Sequence, residues 1–193
     1  VMDDGFQNPS LTKDVSLVVV DGRRGFGNGR SLPAGPLRES LTSGLARADA
    51  VVLMGEDESG AVKAIEAVGP TLPILRARAV PGPELADLAG KPVVAFAGIG
   101  DPGKVFATLR AAGCDIRGEV AFADHHPYSA ADLASLSRRA RATGSLLVTT
   151  TKDAVRLPAD LAQGVRVLTI GVEWEDEAAL ETLLEPMLAD FAR

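Results

Sequence analysis

The sequence predicts an α/β fold, with a mostly parallel sheet and flanking helices. Three observations carry that prediction. Short β-branched runs, apolar on both faces, alternate with stretches of helical character, the pattern of parallel layering. Several of these runs end in glycine-rich or polar strings, where open α/β sheets bind ligands. The chain of 193 residues is 46% hydrophobic but only 4% aromatic, so its core is built from Ala, Val and Leu. That length holds one ordinary domain or two small ones.

The elements follow in order. The first strand is expected over 15–20, where Leu17, Val18, Val19 and Val20 leave no polar face. Residues 21–39 contain five glycines and two prolines, a density that neither a helix nor a central strand tolerates, so they form a loop. A helix over 39–47 ends at Arg47, and a strand over 50–54, a helix over 59–67 and a strand over 72–78 follow. The string Val80-Pro81-Gly82-Pro83-Glu84, with Gly90 and Pro92 soon after, marks the boundary between two lobes, 1–88 and 89–193. In the second lobe, strands over 92–97, 118–122, 145–150 and 165–171 alternate with helices over 103–112, 129–142 and 176–191. The opening Val1-Met2-Asp3-Asp4-Gly5-Phe6-Gln7 reads as the end of a strand running into a turn, so the strand itself is expected before residue 1.

Charge is unevenly placed. The net charge is −6, and residues 173–193, with seven acids and one arginine, account for all of it. The acidic end reads as a helix with a solvated face. Residues 22–47 hold five arginines against Glu39, a basic stretch suited to an anionic ligand. Nothing in the pattern points to nucleic acid. The single cysteine, Cys114, excludes an internal disulfide framework and fits a reducing compartment. No apolar run approaches the ~18 residues of a membrane span.

Four strings, together with the glycine-rich loop, carry chemistry. Asp3-Asp4 lies at a strand end, where a carboxylate can hold Mg²⁺; two acids before a glycine also make an ordinary turn. In the loop, the glycines admit close approach of a ligand to the backbone, and Arg23, Arg24, Arg30 and Arg38 supply planar forks suited to phosphate. Gly98-Ile99-Gly100-Asp101-Pro102-Gly103-Lys104 matches the first seven positions of a phosphate-binding P-loop. Val105 stands where the magnesium-binding hydroxyl belongs, and Pro102 removes a backbone donor, so the string reads as a structural turn between strand and helix. Thr149-Thr150-Thr151-Lys152-Asp153-Ala154 follows another buried strand and reads either as part of a site or as a helix cap.

The fourth string is Asp124-His125-His126-Pro127-Tyr128, which holds both histidines of the chain. A histidine beside a carboxylate can take a proton from an attacking hydroxyl near neutral pH, with Asp124 orienting one ring. The same three side chains can ligate a metal. A capping aspartate with exposed histidines before a helix is the structural alternative.

Taken in order, Asp3-Asp4-Gly5-Phe6-Gln7, then Val20-Asp21 with Arg24-Gly25-Phe26-Gly27-Asn28-Gly29, Leu32-Pro33-Ala34-Gly35-Pro36-Leu37-Arg38-Glu39, Phe96-Ala97-Gly98-Ile99-Gly100-Asp101-Pro102, Phe122-Ala123-Asp124-His125 and Thr151-Lys152-Asp153-Ala154 resemble the lipid A tetraacyldisaccharide 4′-kinase family. The resemblance covers residues 1 to about 155. It implies part of a P-loop kinase lobe, over 1–88, plus a smaller α/β lobe. It also implies ATP and Mg²⁺ as cofactors, and transfer of the γ-phosphoryl to the 4′-hydroxyl of the lipid disaccharide 1-phosphate at the cytoplasmic face of the bacterial inner membrane.

Carried over by position, the resemblance makes Asp3 and Asp4 the magnesium-side and nucleotide-side acids, Arg38 and Glu39 an active-site pair, and His125 the catalytic base. Arg24, Asn28 and Arg30 become candidates for the substrate. The family's P-loop, the aspartate partner of the histidine and the membrane-anchoring helix all lie upstream of its Asp-Asp-Gly-Phe-Gln string. The chain is therefore expected to be an incomplete copy, inactive alone, whose two lobes would close around nucleotide and headgroup. Two alternatives stand beside this reading: a metal-dependent phosphoesterase of the Asp-His-His type, and a non-catalytic module that binds lipid headgroups.

Overall fold

The computed structural model describes residues 2–68, 71–158 and 163–191. The chain divides into two compact units, one formed by Val1–Ala79 with Val172–Arg193, the other by Val80–Gly171. Each is an α/β unit built on a four-stranded sheet.

The first unit contains β1 (Leu17–Asp21), α1 (Leu41–Leu45), β2 (Ala50–Met54), α2 (Ala61–Val68) and β3 (Ile74–Pro81). From the far end of the sequence it takes back β8 (Ile170–Trp174) and α7 (Glu177–Phe191). The sheet order is β1-β2-β3-β8. β1, β2 and β3 run parallel, with Val19 opposite Val52 and Val52 opposite Leu75. Side chains of a strand alternate between faces, and β2 shows why both must be covered. Val51 and Leu53 pack with Leu45 and Ile65 of α1 and α2. Ala50 and Val52 pack on the opposite side with Leu180 and Leu183 of α7.

The second unit contains α3 (Glu84–Leu88), β4 (Pro92–Ala97), α4 (Pro102–Ala111), β5 (Asp115–Ala121), α5 (Ala130–Ala142), β6 (Leu146–Thr150), α6 (Thr151–Ala154) and β7 (Val165–Leu168). Its sheet order is β5-β4-β6-β7, parallel throughout. β4 is the central strand. Its odd residues Val93, Ala95 and Ala97 pack with Val105, Phe106 and Leu109 of α4. Its even residues Val94 and Phe96 pack with Leu133, Leu136 and Ala140 of α5. Burying a side chain such as Leu109 or Leu136 completely contributes about 1.5–3 kcal/mol.

The α/β class is found as expected, but the lobes divide differently from 1–88 and 89–193. The proline-rich string does mark a crossing, yet it lies at 79/80, and the last 22 residues return to the first unit. The expected strand over 165–171 is in fact two strands, β7 and β8, in different sheets. The physical reason is that the apolar face of α7 needs a partner, and Ala50, Val52, Leu75 and Ala77 of the first sheet supply it. β8 places α7 there by pairing beside β3, with the Glu175 N–H donating to Arg76 O at 3.0 Å. The short helix α3 lies outside the helices expected from periodicity, and α6 is the helix that the cap reading of Thr149–Ala154 implies.

Candidate active site

In the first unit, the candidate residues form a chain of paired charges. Asp4 sits in a turn with φ +52°, in the left-handed region that non-glycine residues rarely enter. Both its carboxylate oxygens accept from Arg38, Oδ1 from Nη1 at 2.6 Å and Oδ2 from Nη2 at 2.9 Å. Hydrogen bonding and charge from Arg38 lower the Asp4 pKa and raise that of Arg38. Gln7 continues the chain, its Oε1 accepting from Arg38 at 3.4 Å and its Nε2 donating to Glu39 Oε1 at 2.9 Å. The same Glu39 oxygen accepts from Arg47 Nη2 at 2.6 Å. The Arg47 bond, then Gln7, hold the Glu39 carboxyl below its ordinary range. The Arg47 guanidinium lies 5.0 Å from the centre of the Phe6 ring. Just beyond Glu39, Ser40 caps α1 by accepting the Ser43 N–H at 3.2 Å.

Gln7 and Arg47 escaped the sequence reading. Gln7 carries no chemical signal of its own within Asp3–Gln7, and Arg47 has the pattern of a helix end. Among Arg24, Asn28 and Arg30, the structure distinguishes two kinds of residue. Asn28 staples the loop: its Nδ2 donates to Ala34 O at 2.8 Å and its Oδ1 accepts the Arg30 N–H at 3.1 Å. Gly35 is needed for that closure, since a Cβ there would stand 2.1 Å from Asn28 Oδ1 and 2.3 Å from Arg30 O. Arg24 and Arg30 are exposed, and among the described residues neither guanidinium enters an ion pair.

In the second unit, His125 and His126 have opposite environments. His126 is packed: its ring stacks on Phe122 at 4.6 Å, and its Nε2 lies 3.2 Å from Asp132 Oδ2. Asp132 also closes a capping box with Ser129 at the start of α5. The Ser129 hydroxyl and N–H, with a smaller contribution from His126, lower the Asp132 carboxyl to about 2. His125 is open, its side chain 87% exposed and its Nε2 3.8 Å from Asp124 Oδ2, beyond hydrogen-bond range. Asp124 therefore does not orient the ring as expected. His125 has φ +58°; with Asp4 it is one of two non-glycine residues at positive φ among those described.

Behind His125 lies Asp153, fully buried. Its Oδ1 accepts from the Gly98 N–H at 3.0 Å, the Tyr128 hydroxyl at 2.7 Å and Arg156 Nη2 at 2.8 Å. Its Oδ2 accepts from the Thr150 hydroxyl at 2.7 Å. Burial first, and the Asp153 bond second, push the Tyr128 hydroxyl well above its ordinary pKa, so it remains a donor. Thr150 caps α6, which settles the Thr149–Ala154 string as a cap and a buried anchor. The Gly98 N–H is committed to Asp153, and Asp101 starts α4 without a side-chain cap. Residues 98–104 are thus a turn between β4 and α4 and do not form a phosphate cradle.

Two sets of side chains carry metal-ligating donors. Asp3 and Asp4 offer hard carboxylate oxygens in an exposed turn. Mg²⁺ is held by one or two carboxylates and completed by water and phosphate, so Asp3 fits it, and Asp4 fits it once Arg38 releases its two oxygens. Asp124, His125 and His126 do not converge, because His126 turns to Asp132; among the described residues no group of three His, Cys, Asp or Glu side chains is placed to hold a metal.

Mostly parallel sheets clad by helices, with glycine-rich and histidine-bearing loops at strand ends, define an α/β protein of the kind that binds ligands at those ends. The chain belongs to the tetraacyldisaccharide-1-P 4′-kinase (LpxK) family, whose model matches residues 1–189. It is similar to a tetraacyldisaccharide 4′-kinase of Rhodospirillum centenum, 54% identical over 98% of this chain and 56% of that protein. It is also similar to one from Rhodospirillum rubrum, 52% identical over 97% of this chain and 57% of the other. Among solved structures it resembles LpxK from Aquifex aeolicus, crystallised in an "apo" form in complex with ATP, with a TM-score of 0.64 and 26% identity over 95% of this chain and 55% of that one. The chain thus spans little more than half the length of the curated relatives it matches.

Proposed function

We propose that the full-length protein carrying this chain transfers the γ-phosphoryl of ATP to the 4′-hydroxyl of a tetraacyldisaccharide 1-phosphate, at the cytoplasmic face of the inner membrane. Family membership supports the reaction class. The observation that carries the residue assignment is backbone geometry. Asp4 and His125 are the two non-glycine residues held at positive φ among those described, and such uphill conformations cluster at active sites.

In this reading His125, exposed and not hydrogen-bonded to Asp124, removes the proton of the attacking hydroxyl through its imidazole. Arg38, on leaving Asp4, presents its fork to the phosphoryl group as negative charge grows there. Glu39, kept ionised by Arg47 and Gln7, holds those neighbours in place. Asp3, with Asp4 once Arg38 has left it, would hold Mg²⁺, which when bound neutralises charge on phosphate oxygens. Arg24 and Arg30 meet anionic headgroup or substrate phosphate. No helix among the described residues is long and apolar enough to cross a membrane.

The test is transfer of labelled γ-phosphate to the disaccharide 1-phosphate by the full-length protein, with and without His125→Asn. Loss of labelled lipid in the variant supports the reading. Phosphodiester hydrolysis driven by Mn²⁺ without ATP would overturn it.

A further inference from the structure

The His125 imidazole is 87% exposed, so packing around the ring does not aim it. Its direction is set by its backbone, and that backbone sits in the left-handed region, which non-glycine residues keep only when their surroundings enforce it. The enforcing contacts can be traced. The His125 N–H donates to Gly98 O at 3.0 Å. Arg156 Nη2 donates to the same Gly98 oxygen at 3.0 Å, and Arg156 Nη1 donates to His126 O at 3.3 Å. One guanidinium therefore holds the acceptor of His125 and the carbonyl of the next residue. The guanidinium is itself fixed by Asp153, which also takes the Gly98 N–H.

We infer that Arg156, seated on Asp153, is a positioning residue for His125. The inference rests on the reading of His125 as the base. A planar fork can span the two carbonyls and the carboxylate at once; a lysine ammonium at the same place cannot reproduce that geometry. Tyr128 provides an internal comparison, because Tyr128→Phe removes the hydroxyl bond to Asp153 and keeps the ring that the Arg156 guanidinium lies over at 5.9 Å.

The experiment uses the full-length protein with Arg156→Lys, Tyr128→Phe and His125→Asn, and Arg156→Lys combined with His125→Asn. Arg156→Lys keeps a cation beside the buried carboxylate. It is expected to lower kcat by about 10- to 100-fold, the scale of a displaced catalytic group, with KM for ATP unchanged. In the His125→Asn background the same change is expected to cost less than about twofold. Amide exchange at His125 N–H is expected to speed up in Arg156→Lys and not in Tyr128→Phe. Tyr128→Phe is expected to lower the thermal midpoint while leaving kcat of the folded fraction intact.

An equal kcat penalty from Arg156→Lys in both backgrounds would overturn the inference, as would unchanged exchange at His125. A His125→Asn enzyme with full kcat would instead overturn the base assignment, with the exchange measurement still deciding whether Arg156 holds the loop. If Arg156→Lys does not accumulate as folded protein, Arg156→Gln carries the same expectations.

Discussion

Arg38 grips both carboxylate oxygens of Asp4, at 2.6 and 2.9 Å, across 34 residues of sequence. The pair joins a turn at the start of the chain to the end of the glycine loop, and Gln7, Glu39 and Arg47 extend it. Arg47 is therefore no bystander. Arg38→Ala in the full-length protein is expected to lower kcat by about 10²–10³-fold, as for loss of one donor to developing charge. Arg47→Ala is expected to cost less, because it acts through Glu39. Arg117→Ala, at an exposed arginine 2.6 Å from Asp115, is the control and is expected to leave kcat alone. Equal losses in all three variants would dissolve the assignment.

The two histidines predict opposite phenotypes. His125→Asn keeps a residue that tolerates positive φ, so the thermal midpoint is expected to hold while kcat drops by about 10²–10⁴-fold. His126→Ala removes a ring stacked on Phe122 and a bond to Asp132, so it is expected to lower the midpoint while sparing kcat. The reverse pattern, early unfolding at His125 and lost turnover at His126, would exchange their roles.

The start of α5 is expected to respond to acid. Asp132 has a folded-state pKa lowered to about 2 from an ordinary 3.8. A depressed carboxylate contributes stability above its unfolded pKa and loses it as pH falls through the folded one. Protection of the first turn of α5 is thus expected to fade between about pH 4 and pH 2, seen by amide exchange or by NMR of Ser129 and Asp132. Ser129→Ala is expected to cost about 1 kcal/mol and to shrink this dependence.

Gly35 is the third kind of test, a steric one. Gly35→Ala places a methyl 2.3 Å from the Arg30 carbonyl, so the loop over 26–38 is expected to open. Faster proteolysis within the loop, with both sheets intact by circular dichroism, is the expected result. Unchanged protease resistance would show that the loop accommodates the methyl.

The buried anchor gives the largest stability change. Asp153→Ala removes the acceptor of the Gly98 N–H, Tyr128, Thr150 and Arg156 together. Breaking a buried pair by deleting one partner costs roughly 3–5 kcal/mol, so a large drop in denaturation midpoint is expected. A change below about 1 kcal/mol would show that the site relaxes around the loss.

Sequence by itself determined what depends on neighbours along the chain. The β-branched runs at β1, β2, β4 and β6 and the capped helix at α5 follow from local pattern, so the α/β class and most elements were legible. The ordered strings also sufficed to indicate the family. Tertiary structure alone decided what depends on distance across the chain. Whether the final residues joined the second sheet or the first turned on which face α7 could bury, a question about Ala50 and Leu75 that no local window contains. That His125 is open and His126 packed, that Asn28 folds the loop, and that Arg47 meets Glu39 are likewise contacts set by packing. Adjacent residues of one chemical type look alike in sequence; burial and partners, which arise only when remote segments meet, give them different chemistry.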